Sequence, residues 1–210
     1  MKINYQKELD KIILDMQRDE QRKSLLLHSC CAPCSSYVLE YLSNFFDITV
    51  YYYNPNIYPD QEFVRRVEEQ KKFIQNFKSK NPISFIEGEY QKERFYSISK
   101  GLEDENEGGE RCTRCYELRL KETAIKAKEG NFDYFTTTLS ISPHKDAQRL
   151  NSIGKTLEEE YGVKYLYSDF KKKEGFKRSI ELSKIYGLYR QNYCGCVFSK
   201  NESEKNPKHQ

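Results

Sequence analysis

A chain of 210 residues, 37% hydrophobic and 14% aromatic, can bury a sizeable core and is too apolar to stay disordered. Its 35 Lys and Arg against 32 Asp and Glu leave a net charge of +3, which by itself singles out no class of partner. No apolar run approaches the ~18 residues of a membrane span, and the first residues lack the unbroken apolar stretch of a signal peptide.

The chain is therefore expected in the cytosol, away from membranes. Thiols stay reduced there, so its seven cysteines read as metal ligands or redox groups rather than as a disulfide framework. Residues 1–22 alternate charges with Leu9, Ile12, Ile13 and Met16, the pattern of an amphipathic helix. Ser24–His28 is a short apolar run that reads as a buried parallel strand. It breaks at Ser29-Cys30-Cys31-Ala32-Pro33-Cys34, before a helical stretch beginning SSYVLEYL. Asp47–Tyr53 is a second strand, rich in β-branched and aromatic residues, and Asn54-Pro55-Asn56 ends it. A charged amphipathic helix follows over about 60–79, a third strand over Ile83–Ile86, and a short helix over about 91–100.

The loop 103–110, EDENEGGE, carries five acids and no base, and leads to a helix that starts at Cys112. Phe132–Thr138 is a fourth strand. Ser142-Pro143-His144 breaks the chain before a helix near 145–160, Lys164–Tyr167 is a fifth strand, and a last helix covers about 174–187. From Lys200 to the last residue, 210, the sequence is polar and is expected to fray as a disordered tail. Strands alternating with helices predict one α/β domain over 1–210: a doubly wound, mostly parallel five-stranded sheet with helices on both faces. Such sheets hold ligands outside the carboxyl ends of their strands. The first cysteine cluster and the segment Thr136–Ser142 both follow strands and should share that edge.

The cysteines fall into three groups: Cys30, Cys31 and Cys34; Cys112 and Cys115; Cys194 and Cys196. A CxxC pair at a helix start brings two thiolates to one metal, and the helix N-terminus favours the ligating anion. Two such pairs supply four sulfurs, which suits a [4Fe–4S] cluster or a tetrahedral zinc, and spacing does not separate them. Cys194-Gly195-Cys196 closes only a small, strained disulfide ring, which suits a working dithiol; a further ligand pair is the other reading. Cys31-Ala32-Pro33-Cys34 between a strand and a helix also has the form of a thioredoxin-type site. Against that stand the Cys30-Cys31 doublet and four further cysteines. No glycine-rich phosphate cradle follows the first strand, so ATP chemistry is disfavoured. Residues 164–190 hold eight bases against three acids, a surplus that suits either a phosphate backbone or a plain solvated surface.

LLLHSCCAPCSS, YNPNIYP, RCTRCYELRL, FTTTLSISPHKD, DFKKKEGFKRSIELS and LYRQNYCGC resemble, in order, the motifs of the QueH family of cobalamin-independent epoxyqueuosine reductases. The resemblance covers about residues 24–198. It implies a nucleotide α-hydrolase-like (HUP) topology and an oxidoreductase that performs the last step of tRNA queuosine biosynthesis, turning the epoxide of epoxyqueuosine at the wobble position into an alkene. It further implies a [4Fe–4S] cluster with an adjacent mononuclear iron, and an external electron donor. Carried onto this sequence, Cys30, Cys31, Cys112 and Cys115 would hold the cluster and Cys194 and Cys196 would be the redox-active pair. Cys34 would stand at the second metal or take the place of Cys30 or Cys31. Lys171, Lys172, Lys173, Lys177, Arg178 and Arg190 are the expected contacts to tRNA phosphates. His28, His144, Asp146 and Tyr193 are the candidate proton donors, against plainer roles for His28 in the core and for His144 and Asp146 as helix caps. Thr136, Thr137 and Thr138 are strand formers with hydroxyls at a strand end, and Tyr52, Tyr53 and Asn54 either stack on a base or fill the core. Two readings from other classes remain: a thioredoxin-like disulfide reductase and a zinc-stabilised RNA-binding protein.

Overall fold

The computed structural model describes residues 2–18 and 22–205. Its five strands, β1 (Lys23–His28), β2 (Phe46–Tyr52), β3 (Ile83–Glu87), β4 (Tyr134–Thr137) and β5 (Lys164–Tyr165), form one sheet in the order β3-β2-β1-β4-β5. Every adjacent pair is parallel. Because β1 is buried on both faces, it reads as an apolar run, and alternate residues serve opposite cores. Leu25 and Leu27 point into one cluster with Ile48 and Val50, while Leu26 joins Tyr51, Tyr53 and Phe135 in the other.

The first face is covered by α1 (Tyr5–Arg18), α2 (Ala32–Leu42), α3 (Asp60–Asn76) and α7 (Gly175–Ile185). The second is covered by α5 (Glu110–Glu129) and α6 (Ala147–Tyr161), with α4 (Lys92–Ser99) beside α5. The chain runs outward from β1 through β2 to β3, then returns to lay β4 on the other side of β1. That reversal leaves a crevice at the carboxyl ends of β1 and β4, where open α/β sheets hold their ligands.

Three expectations change. The helix after the first cysteines begins at Ala32, so Cys34 lies in its first turn. Pro33 is tolerated there because an N–H so near a helix start has no intrahelical acceptor. The fifth strand stops after Tyr165, where the Leu166 carbonyl accepts from the Thr136 hydroxyl instead of a ladder amide; further on, the Asn151 side chain takes both backbone groups of Ser168. The expected tail from Lys200 is instead helical to Lys205, within α8 (Val197–Lys205). Phe198 anchors this helix between Phe95 and the Arg111 guanidinium. The part of the tail over 206–210, and residues 1 and 19–21 of the first expected helix, lie outside the described residues. Among the described residues no helix is long and apolar enough to cross a membrane.

Candidate metal and redox centre

β1 ends at His28, and Ser29 prolongs its ladder by donating to the Tyr51 carbonyl at 3.0 Å. The chain then turns. Cys30 faces the crevice, Cys31 caps α2 with extended backbone, and Cys34 follows one helical turn later. Residues three apart share a helix face, and the sulfurs of Cys30, Cys31 and Cys34 all lie within 4.8 Å of one another. Cys30 Sγ is 3.9 Å from Cys31 Sγ and 3.6 Å from Thr138 Oγ1, at the end of β4. Hydrogen bonds from Cys31 and Cys34 hold the Cys30 thiol well below its usual range, with further help from the Arg119 charge and Thr138. Its partners move the other way: Cys31 is pushed up to about 12 by donating to Cys30, and Cys34 rises for the same reason. One thiolate clasped by two thiols is an anion-bearing site.

The other four cysteines line a small cavity next to this trio, together with Asn56, Glu107 and Tyr116. Cys112 and Cys115 stand one turn apart at the start of α5. The Gly108 amide donates to Cys112 Sγ at 3.3 Å, and burial pushes Cys115 up to about 12. Cys194 and Cys196 arrive on the segment between α7 and α8. Gly195 makes the turn at φ +132, and its carbonyl accepts from the Tyr58 amide at 2.8 Å. A Cβ at Gly195 would stand 3.1 Å from Arg66 Nη1, so both backbone and packing call for glycine. None of the seven cysteines is in a disulfide.

Four buried cations surround these sulfurs: Arg66, Arg111, Arg119 and Lys145. Arg119 joins the two groups. Its Nη2 donates to Asn54 Oδ1 at 2.6 Å, its Nη1 is 3.9 Å from Cys115 Sγ, and its charge acts on Cys30. Lys145 Nζ lies 3.2 Å from Cys194 Sγ and 3.9 Å from Glu107. Burial opposes the ammonium charge of Lys145, but Cys194, Tyr116 and Glu107 outweigh it and hold the group protonated.

The QueH family model, described as epoxyqueuosine reductase QueH, matches residues 25–202. The epoxyqueuosine reductase QueH of Staphylococcus epidermidis is 48% identical over 202 residues, covering 94% of this chain and 85% of its own. That of Streptococcus pyogenes is 46% identical over 200 residues, covering 94% and 78%. The Thermotoga maritima QueH is 39% identical over 179 residues, covering 84% and 90%. The chain belongs to the QueH family.

The sulfurs of Cys30, Cys31 and Cys34 are close enough together to hold a metal. Tyr52 Oη, Arg66 Nη2, Gln70 Nε2, Asn56 Oδ1 and Arg111 Nε are buried without a hydrogen-bond partner, and such groups are costly unless something polar meets them. Arg111 and Arg119 also form no ion pair among the described residues, so the buried charge calls for anions, which thiolates and a sulfur-rich cluster supply.

Of the expected ligands, Cys30 and Cys31 are in the tight trio, and Cys34, which had no settled place, joins them. Cys112 and Cys115 instead share the adjoining cavity with Cys194 and Cys196. His28 takes the core role: its Nδ1 is 2.8 Å from Thr137 Oγ1, and burial with the Arg119 charge pushes it down to about 3. A neutral imidazole of this kind is no proton donor near neutral pH. Asp146 caps α6 by accepting from the Gln148 amide, and His144 is exposed. Tyr193 Oη donates to the Tyr58 carbonyl. Thr136 donates to the Leu166 carbonyl, which leaves Thr138 as the hydroxyl of the three that touches a cysteine. Tyr52, Tyr53 and Asn54 are fully buried, as core residues.

The basic stretch is largely paired with acids, some from α1 and α2. Lys171 meets Asp169 at 2.6 Å, Lys173 meets Asp10 at 2.7 Å, and Lys177 meets Glu174 at 3.1 Å. Arg178 grips Glu40 with two nitrogens, Arg190 donates to Ser183, and Lys172 is exposed. Sequence reasoning missed Arg66, Arg111, Arg119 and Lys145. One signal was present: Arg66 and Gln70 sit on the Phe63–Val67–Phe73 stripe of α3, where an inward-facing helix should be apolar.

Proposed function

We propose that this chain reduces the epoxide of epoxyqueuosine at the tRNA wobble position to an alkene, the last step of queuosine biosynthesis. The observation that supports the reading is a trio of cysteines at the end of β1 and four more lining a cavity, with the buried Arg119 touching the cavity group and acting on the trio. In this reading Cys30, Cys31 and Cys34, with Cys112 and Cys115 from the cavity side, hold a [4Fe–4S] cluster and an adjacent iron. Bound there, the centre supplies single-electron transfer and a Lewis acid for the epoxide oxygen.

The protein's own residues carry the balance. Turning an epoxide into an alkene and water consumes two electrons and two protons. Closing the Cys194–Cys196 dithiol to a disulfide releases two of each, and an external donor then reduces the disulfide. Lys145 sets a fixed positive charge 3.2 Å from Cys194 Sγ, at the mouth of that dithiol. Lys171, Lys172, Lys173, Lys177, Arg178 and Arg190 meet the tRNA phosphates. Their carboxylate partners are no obstacle, because exposed ion pairs are worth only ~0–1 kcal/mol and counterion release rewards the exchange.

A disulfide reductase built on Cys31 and Cys34 is less well supported, since Cys31 is only 1% exposed and its thiol is pushed up rather than down. The decisive experiment is anaerobic: quantify iron and sulfide, then follow epoxyqueuosine and queuosine nucleosides in treated tRNA. Replacing Cys194 and Cys196 together by serine should end multiple turnover while leaving the visible absorption intact. Full multiple turnover in that variant would remove the dithiol from the mechanism. A colourless protein carrying zinc, with tRNA binding and no reduction, would replace the enzyme by a zinc-stabilised RNA-binding protein.

A further inference from the structure

The inner face of α3 carries a feature that the proposed reaction leaves unexplained. Phe63, Val67 and Phe73 pack inward as expected, yet Arg66 and Gln70, one turn apart on the same face, are buried with them. Arg66 is 1% exposed and Gln70 is fully buried. Each is only half satisfied. Arg66 Nε is held by Glu62 at 2.7 Å while Nη2 has no partner. Gln70 Oε1 accepts from Ser29 Oγ at 2.8 Å and Ser35 Oγ at 3.1 Å while Nε2 has none. Tyr52, the last residue of β2 and also fully buried, has an unpartnered hydroxyl.

These three free donors face one neighbourhood. Ser29 and Ser35, which grip Gln70, bracket the cysteine turn, and Ser29 Oγ also reaches the Cys31 carbonyl at 3.4 Å. The Arg66 charge acts on Cys31, and the Cys31 and Cys30 sulfurs act on Tyr52. An orphaned hydroxyl on β2 and an orphaned amide and guanidinium on α3 are too costly to be coincidental packing. Each is a donor, so the group they await accepts hydrogen bonds and carries negative charge.

We propose that Tyr52, Arg66 and Gln70 form a donor shell that hydrogen-bonds to the sulfurs of the metal centre at Cys31 and stabilises its reduced form. They are positioning residues that act through the centre, and the inference rests on the metal-centre reading above. A centre that gains one electron gains one negative charge, which donors and a buried cation favour, so the shell raises the reduction potential.

The test uses anaerobically purified, iron-loaded protein and a redox titration followed by visible absorbance and electron paramagnetic resonance. Tyr52→Phe removes one oxygen that has no protein partner and leaves the ring packing intact. Arg66→Met is paired with Glu62→Gln, so that no buried carboxylate is stranded. The double variant should shift the one-electron equilibrium toward the oxidised form by about tenfold, or roughly 59 mV, with Tyr52→Phe shifting it a few-fold in the same direction. Arg66→Lys, which keeps the charge but loses the fork, should fall between wild type and the double variant. A folded Tyr52→Phe protein that holds less iron than wild type also bears the proposal out. If Tyr52→Phe loads iron fully, keeps the wild-type potential and melts higher than wild type, the hydroxyl is an ordinary burial defect and the proposal is overturned. The Tyr52→Phe result decides the matter even if the double variant fails to fold. Wild-type protein without iron or sulfide would instead overturn the metal-centre reading itself.

Discussion

Two groups of positive charge in this protein contrast sharply in their surroundings. Around the cysteines, Arg66, Arg111, Arg119 and Lys145 are at most 9% exposed, and Glu62 and Glu107 are their only ion-pair partners among the described residues. Along 171–190, cations sit at the surface, and four of them pair with nearby acids. Buried charge without counter-charge is a demand for an anion inside the fold, because water cannot screen it. Surface charge with a carboxylate beside it demands nothing, and it exchanges partners at little cost. The same two residue types therefore point to a fixed prosthetic group in one region and to a passing ligand in the other.

Four measurements can break or sharpen that contrast. Arg119→Met should cost about 1–3 kcal/mol in denaturant unfolding, because it leaves the buried Asn54 Oδ1 without its donor, and should lower iron content, because it removes the cation beside Cys115. A cost near zero would show that the buried cations are dispensable packing. Replacing Lys171, Lys172, Lys173, Lys177, Arg178 and Arg190 by glutamine should weaken tRNA binding by about tenfold or more at low salt. The slope of log affinity against log salt should flatten by ~0.7 for each phosphate that is no longer neutralised. An unchanged slope would mean that RNA docks elsewhere. Asp146→Ala should cost about 1 kcal/mol through the lost cap on α6 and leave turnover intact, whereas a collapse of turnover at unchanged stability would make Asp146 a proton donor again. Lys173→Ala, which breaks the exposed pair with Asp10, should change stability by less than ~1 kcal/mol. A larger loss would place that pair with the buried group.

Much of the fold was legible. Apolar runs such as Leu25–Leu27 and Ile48–Val50 can be satisfied only between two helical layers, and the strand–helix alternation then dictates a parallel sheet. Boundaries failed where side chains from elsewhere intervened. The Thr136 hydroxyl took the Leu166 carbonyl where the fifth strand ends, and Phe198 folded a polar tail into a helix by finding Phe95. The site was legible as a set of cysteines but not as a grouping. Spacing paired Cys31 with Cys34 and Cys112 with Cys115, yet it left Cys34 without a settled role because helix phase, not residue count, decides which sulfurs face each other.

By itself the sequence determined the layered sheet, the three cysteine groups and the position of the first of them after a strand end, because hydrophobic periodicity and thiol chemistry are local properties. Only the tertiary structure decided that Cys30, Cys31 and Cys34 form one trio, that the remaining cysteines share a neighbouring cavity, and that Arg66, Arg119 and Lys145 stand among them. Those placements depend on where distant segments cross and on how far each charge is removed from water, and neither quantity is written in the spacing of residues along a chain.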